Sequence, residues 1–318
     1  MKDPQRHPGL WWALSLCLLC LWAAGALGAQ ESETRLADQV TAELKAGRLE
    51  AALDKAQVAV RRYPKSSHLQ QLLGVVLYKL GMNEEARTAL QHAIEYDSSV
   101  PQNYFDLALV DVVEEHYSDA SKALETYLYL DRMNAQAHVL LGRAYLNLNQ
   151  TAPAIEQFKK ALALNPVLPL AHYHFGVAYQ SLGNLQSALE QFYLEIRVEP
   201  EFSSPHWRAG NIELELGKLP EAEKLFEEAI RLNPRVCQPH YGLGRIYTER
   251  RQFPKAEKEL TAALKFEPDN VRVHYALARL YQQMGNKEAA SREFAVCATL
   301  HARQEKQLSG IAGAGLQR

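Results

Sequence analysis

The sequence repeats itself every 34 residues, and this period leaves the chain few possible folds. The segment from Pro169 to Phe202 shows one complete unit. In each half of the segment, apolar residues recur at the spacing of one helix face. Gly183 and Asn184 interrupt the pattern as a turn does, and Pro200 ends the second half because its ring excludes a helical hydrogen bond. The unit is therefore predicted to be a helix–turn–helix hairpin that needs neighbours to bury its apolar faces.

Steps of 34 residues from this hairpin reach equivalent positions along most of the chain. One position is alanine in every unit: Ala52, Ala86, Ala120, Ala154, Ala188, Ala222, Ala256 and Ala290. A second position is often glycine: Gly74, Gly142, Gly176, Gly210 and Gly244. Small residues at these positions allow two helices to cross closely, so we expect larger side chains there to destabilise the stack by overpacking.

This pattern resembles the tetratricopeptide repeat (TPR) family. The resemblance covers residues 33–304 as contiguous repeats that begin at Glu33, Ser67, Pro101, Ala135, Pro169, Ser203, Cys237 and Val271. It implies an all-α fold, a right-handed TPR superhelix (α-solenoid) of antiparallel helix pairs, in which each repeat contacts its neighbours. The third repeat departs from the pattern because Asp111 stands where tyrosine or leucine is usual, and we expect a local irregularity there.

Residues 1–28 differ from the repeats. A weakly basic start precedes an uncharged apolar run over residues 10–27, and the small residues Ala26 and Gly28 suit a cleavage site. This layout predicts a secretory signal peptide and hence an exported protein: periplasmic, secreted or lumenal. The run is also long enough to remain as an uncleaved membrane anchor, and both interpretations stay open.

The other end of the chain, residues 305–318, is predicted to be a flexible, glycine-rich tail. Only residues 305–308 are expected to extend the last helix, which would leave Ala290, Phe294 and Leu300 partly uncovered. An exposed apolar end favours self-association or partner docking. A frayed end without a role is the alternative.

The composition and the absence of motifs favour a non-enzymatic protein. A formal net charge of −2 gives no support to nucleic-acid binding. The sequence contains no HExxH, GxSxG or P-loop motif, and its one CxxC lies in the N-terminal apolar run. We therefore predict no catalytic residue, cofactor or metal ligand, since the repeats leave no room for a catalytic domain.

One repeat position carries histidine five times in succession: His138, His172, His206, His240 and His274. Equivalent positions of adjacent repeats lie roughly 10 Å apart, which is too far for two imidazoles to share a metal ion. We interpret these residues as semi-buried packing histidines, with a pH-sensing role as the alternative. If they are buried, their protonation is expected to loosen the C-terminal half near pH 5.

The residue after this histidine usually faces the concave groove in the TPR family, and here it is aromatic in the last four repeats. Arginine or asparagine often follows one helical turn later on the same face. We predict an aromatic–arginine stripe that binds a partner: Arg143, Tyr173, Trp207, Arg208, Asn211, Tyr241, Arg245, Tyr275 and Arg279. Arginine forms bidentate bonds with carboxylates and aromatic rings supply rigid apolar surface, so the stripe suits an extended acidic peptide. The alternative is that the aromatic rings only pack between adjacent helices.

The predicted function is that of a protein–protein interaction scaffold that binds a peptide or partner domain in its groove. Two alternatives remain. One is a structural or assembly component of an envelope or membrane complex, and the other is an accessory module that positions substrate for a partner enzyme.

Overall fold

A computed structural model describes the backbone of residues 32–315 and the side chains up to residue 306. All the regular secondary structure in this part of the chain is helical. Within the same residues, no helix combines the length and the apolar character that a membrane span requires. The predicted signal peptide or anchor, residues 1–28, lies outside the described residues.

The described residues form two compact units, which divide between residues 157 and 158. The described part of the first unit contains α1 (32–45), α2 (Leu49–Arg62), α3 (Ser67–Lys79), α4 (Asn83–Tyr96), α5 (Pro101–Val113), α6 (Tyr117–Leu130) and α7 (Ala135–Asn147). The unit boundary falls within α8 (Thr151–Leu164). The second unit continues with α9 (Ala171–Ser181), α10 (Leu185–Val198), α11 (Ser203–Glu215), α12 (Leu219–Leu232), α13 (Cys237–Glu249), α14 (Phe253–Phe266), α15 (Val271–Gln283) and α16 (Lys287–Gly315).

Helix pairs are the building blocks of both units. In the first unit, α3 packs on α4 and α5 on α6, and α4 also contacts α5 of the next hairpin. In the second unit, α9 packs on α10, α11 on α12, α13 on α14 and α15 on α16, and each second helix contacts the next first helix. This stacking of hairpins confirms the all-α solenoid architecture that the repeat period predicted.

Most first helices, which carry odd numbers, begin where the sequence places a repeat: Ser67, Pro101, Ala135, Ser203, Cys237 and Val271. Local capping explains several of these starts. The side chain of Ser66 accepts a hydrogen bond from the backbone N–H of Leu69 at 3.2 Å, and the Asn134 side chain accepts one from Ala137 at 3.0 Å. Each bond satisfies a backbone donor that has no partner within the helix.

Helix α9 begins at Ala171, two residues later than Pro169, at which the repeat begins. Leu170 adopts a left-handed backbone conformation with φ of 68°, which delays the helix. The buried Glu195 carboxylate of α10 accepts hydrogen bonds from the backbone N–H groups of Leu170 at 2.7 Å and Tyr173 at 3.0 Å. A side chain from the neighbouring helix thus caps α9, and burial raises the pKa of this carboxyl group.

The small-residue positions lie at close helix crossings. All members of the alanine column are buried. A Cβ atom placed on Gly176 would lie 2.7 Å from the ring of Phe192, and one on Gly244 would lie 2.5 Å from Cγ of Leu260. Gly242 lies outside the glycine column, yet a Cβ there would overlap the ring of Phe226. Close packing therefore requires one more glycine than the repeat pattern indicates.

The C-terminal end differs from the sequence-based expectation in two ways. Helix α16 continues to Gly315, past residue 308, although a flexible tail was expected from residue 305. Glycine lowers helix propensity by about 1 kcal/mol without forbidding a helix, and the tail also contains good helix formers such as alanine, leucine and glutamine. Ala290 and Leu300 are buried, so of the three residues expected to be uncovered only Phe294 is partly exposed.

Candidate partner-binding face of the second unit

Four first helices carry the aromatic–arginine stripe of the second unit. Helix α11 contacts α13, and α13 contacts α15, so their stripe residues lie on adjacent helices. The members are Tyr173 on α9; Trp207, Arg208 and Asn211 on α11; Tyr241 and Arg245 on α13; and Tyr275 and Arg279 on α15. Arg143, the remaining predicted member, is a half-buried residue of α7 in the first unit, and the site considered below consists of second-unit residues alone.

Arg208 is tied to its neighbours. Its Nε donates a hydrogen bond to the hydroxyl oxygen of Tyr173 at 3.0 Å, and its Nη1 donates one to the Gln180 side chain at 3.0 Å. The guanidinium carbon lies 4.7 Å from the ring centroid of Trp207 and 5.4 Å from that of Tyr173. These contacts combine cation–π attraction with directed hydrogen bonds, so Arg208 holds α9 and α11 together.

Tyr173 is also a packing residue. Its ring centroid lies 5.1 Å from that of Phe202 in an edge-to-face arrangement and 6.1 Å from that of Phe192. Its backbone N–H donates to Glu195, and its hydroxyl accepts from Arg208. At this position, the alternative interpretation that the stripe aromatics pack between helices describes the observed contacts.

The stripe is more open on α13 and α15. Tyr275 is 52 % exposed, and its ring rests edge-to-face on Phe294 with centroids 5.9 Å apart. Arg245 is exposed, with its guanidinium carbon 5.8 Å from the ring centroid of Tyr241. Arg279 is exposed as well. Within residues 32–306, neither Arg245 nor Arg279 forms an ion pair with a carboxylate, so both guanidinium groups have donors to offer a ligand.

A cleft of about 450 Å³ lies beside Trp207 at the N-terminal ends of α11 and α13. Phe202 and Val236 give it apolar walls, and Asn233 and Gln238 add polar groups. Trp207 and Tyr241 both pack partly against the apolar core of the unit, which holds their rings in place. This end of the stripe therefore offers a fixed aromatic surface next to a hollow large enough for a partner side chain.

The histidine column lies beneath the surface. All five rings are buried, and four of them place Nδ1 against the side chain 19 residues later. These pairs are His138–Gln157 at 2.8 Å, His172–Gln191 at 2.7 Å, His240–Glu259 at 2.7 Å and His274–Glu293 at 2.6 Å. In the last three, Nε2 also donates to the carbonyl oxygen of the proline that lies three residues before the repeat begins: Pro166, Pro234 or Pro268. Each of these three histidines thus links the second helix of its own hairpin to the segment that leads in from the preceding hairpin.

His240 and His274 differ from His138 and His172 because their partner is a carboxylate, Glu259 or Glu293. A carboxylate only accepts hydrogen bonds, whereas the glutamine side chains of the other pairs can also donate them. The bond from His240 holds the pKa of Glu259 below the ordinary value of 4.5. The expected loosening of the C-terminal half near pH 5 stays a prediction. Within the described residues, no group of three histidine, cysteine or acidic side chains is arranged to hold a metal ion.

Comparison with known families identifies the repeats. Models described as TPR repeat match residues 142–183 and 244–285, and models described as tetratricopeptide repeat match residues 37–103 and 204–236. Together these segments cover more than half of the chain. No curated protein matches the sequence.

Solved structures show the same architecture. A tetratricopeptide repeat protein from Parabacteroides merdae is 17 % identical with a TM-score of 0.59, and the match covers 79 % of this chain and 99 % of that one. Pseudomonas aeruginosa pilF is 20 % identical with a TM-score of 0.58, over 67 % of this chain and 98 % of that one. A chain of the APC/C hetero-tetramer Cut9–Hcn1 is 17 % identical with a TM-score of 0.62, over 76 % of this chain and 48 % of that one. The likeness at these identities concerns the fold, and with the family matches it shows that the chain belongs to the tetratricopeptide repeat family.

Proposed function

We propose that the second unit is a non-enzymatic scaffold that binds an extended, carboxylate-bearing peptide of a partner protein across α11, α13 and α15. TPR proteins are generally protein-interaction scaffolds. The observation that supports the finer proposal is the pair of exposed guanidinium groups, Arg245 and Arg279. They have no carboxylate partner among residues 32–306, and each follows a tyrosine, Tyr241 or Tyr275, by one helical turn. From the N-terminal sequence alone, we further propose that this binding takes place outside the cytoplasm.

The repeat geometry suggests the spacing of the carboxylates. Arg245 and Arg279 occupy equivalent positions on neighbouring helices, which pack about 10 Å apart. A polyproline-II peptide returns to the same side every third residue after about 9.3 Å. Acidic side chains three residues apart would therefore each meet one guanidinium group, while the tyrosine rings support the peptide backbone between them.

A peptide-display selection on the immobilised full chain tests this proposal. A random nine-residue library should enrich peptides with aspartate or glutamate three positions apart. The double variant R245A/R279A should lose that enrichment. A matched control, R231A/R292A, removes two exposed arginines of the second helices α12 and α16, which pair with Glu228 and Glu288.

The control variant should select the same acidic peptides as the unmodified chain. Selection without acidic residues would contradict the proposal. Equal enrichment on R245A/R279A, or an equal loss on R231A/R292A, would show that the stripe is not the binding surface.

A further inference from the structure

A candidate modification site lies in the turn between α7 and α8 of the first unit. The sequence contains one N-x-S/T sequon, Asn149-Gln150-Thr151. It begins two residues after α7 ends at Asn147, and its threonine is the first residue of α8. A sequon of this kind accepts N-linked glycans on surface segments of exported proteins, so the position of Asn149 in the fold decides whether the motif is usable.

The backbone of this turn holds Asn149 at the surface. Asn149 is exposed, has φ of 58°, and donates its backbone N–H to the carbonyl oxygen of Leu146 at 3.0 Å. Most other repeats have a glycine with positive φ at the equivalent position: Gly47, Gly81, Gly183, Gly217 and Gly285. Asparagine also adopts this conformation at low cost. The turn therefore requires the backbone conformation of Asn149 but not its amide group.

The side chain of Asn149 differs from those of the other asparagines near turns. At six other positions Oδ1 accepts a hydrogen bond from a backbone N–H group and so fixes a turn or a helix start: Asn134, Asn165, Asn184, Asn233, Asn270 and Asn286. Asn147 donates its amide to the carbonyl oxygen of Arg143 at 3.0 Å. The Asn149 amide forms no hydrogen bond within residues 32–306, so a modification there would break none.

We propose that Asn149 is an acceptor for N-linked glycosylation once the chain has crossed the membrane into a compartment that contains an oligosaccharyl transferase. The donor would be an oligosaccharide joined to a lipid pyrophosphate. Nδ2 of Asn149 forms a bond to C1 of the first sugar and loses one proton. The bond between C1 and the pyrophosphate oxygen breaks, and the lipid pyrophosphate leaves with its electron pair.

Export across a membrane is the one premise that this site shares with the proposed peptide-binding face of the second unit. The two otherwise stand apart, because peptide binding uses arginines of α13 and α15 and needs no modification. A coincidental sequon, in which asparagine is present only because it tolerates the turn, is the alternative. It is distinguished by whether a glycan is attached.

Cell-free translation of the full chain with microsomes tests the proposal, since the microsomal lumen supplies both the transferase and the lipid-linked donor. One slower-migrating band should appear on gel electrophoresis, and endoglycosidase should return it to the position of the unmodified chain. N149G removes the acceptor but restores the glycine that most repeats have in this turn, so it should fold and give no glycosylated band. T151A, which keeps Asn149 but destroys the sequon, should give none either.

A variant with a moved sequon shows whether the chain reaches the lumen. N149G/G81N/N83T places the sequon in the equivalent turn of the second repeat, where Gly81 has φ of 77° and Asn83 begins α4. This variant should also carry one glycan. A glycan on the moved sequon but none on the unmodified sequence would overturn the proposal, and so would a glycosylated band that persists in N149G. Absence of the glycan from both chains would overturn it as well, because the N-terminal segment would then not deliver the chain to the transferase.

Discussion

In α9 and α11 the stripe residues Tyr173 and Arg208 bond to each other, whereas in α13 and α15 the stripe arginines face solvent. Arg208 donates to Tyr173 and Gln180, and its guanidinium lies against two aromatic rings. Arg245 and Arg279 occupy the exposed side of the next two first helices without a carboxylate partner among residues 32–306. An arginine beside an aromatic ring is therefore a binding candidate only where its donors are still unused.

The histidine column shows the same division. His172 meets a neutral glutamine, whereas His240 and His274 meet glutamates. The last two hairpins thus pair a histidine with a glutamate, and their first helices carry the exposed arginines Arg245 and Arg279. In the first hairpin of the unit His172 is instead bonded to Gln191, and in the second Nδ1 of His206 donates to the backbone carbonyl oxygen of Phe202.

The largest expected effect is a loss of ligand affinity when the exposed arginines of α13 and α15 are removed. In R245A/R279A, the affinity for an acidic peptide should fall about 10- to 100-fold, because two charge-assisted contacts are lost. The affinity should also depend less steeply on salt. Fluorescence anisotropy at 50 and 300 mM NaCl measures both quantities. An unchanged affinity would remove the functional distinction between the two halves.

A substitution in α9 or α11 should change the stability of the protein more than its peptide affinity. We expect R208A to lower the free energy of unfolding by about 2 kcal/mol, since it removes hydrogen bonds and a cation–π contact from a half-buried site. Its peptide affinity should change less than about threefold, because the bonds lost are internal to the protein. Urea denaturation and the same anisotropy assay measure the two effects. If R208A kept its stability but bound the peptide more weakly, Arg208 would be a binding residue and not a stabilising one.

Stability in acid should separate the two kinds of histidine pair. The pKa of Glu259 is lowered in the folded protein, so its contribution is present above the ordinary pKa of 4.5 and is lost as the pH falls through the folded value. E259Q should therefore flatten the decline of stability below about pH 4.5. Q191E should steepen that decline by giving His172 a carboxylate partner.

Urea denaturation at several pH values between pH 7 and pH 3 would measure how the stability of each variant declines in acid. If E259Q declined in parallel with the unmodified chain, the His240–Glu259 pair would contribute nothing to the acid response. The expected loosening near pH 5 would be supported only if most of the loss in the free energy of unfolding occurred above the pH range in which glutamate titrates.

The smallest expected effect comes from Y173F. The phenylalanine ring keeps the contacts with Phe192 and Phe202 but loses the acceptor for Arg208. The free energy of unfolding should fall by about 0.5–1.5 kcal/mol, less than in R208A. Urea denaturation of the two single variants and the double variant measures their coupling. Fully additive losses would show that the Tyr173–Arg208 bond contributes little.

The period of 34 residues predicted the helix pairs and most first-helix starts, because both follow from local pattern and capping. It did not predict the late start of α9, since the cap is Glu195 on another helix. It could not separate Arg208 from Arg245 either, because their difference lies in tertiary partners. Asp111 was recognisable as an exception in its column, but its Arg87 partner and its unsatisfied oxygen appear only in three dimensions.

Site-specific photo-crosslinking would locate the bound peptide. A benzoylphenylalanine at position 275 of α15 should crosslink an enriched acidic peptide, because Tyr275 is half-exposed beside the free arginines. The same group at position 296 of α16, where Val296 is 37 % exposed on a second helix, is the control and should give little product. Adducts at 275 that disappear in R245A/R279A are the predicted result. Adducts at 296 but not at 275 would contradict it.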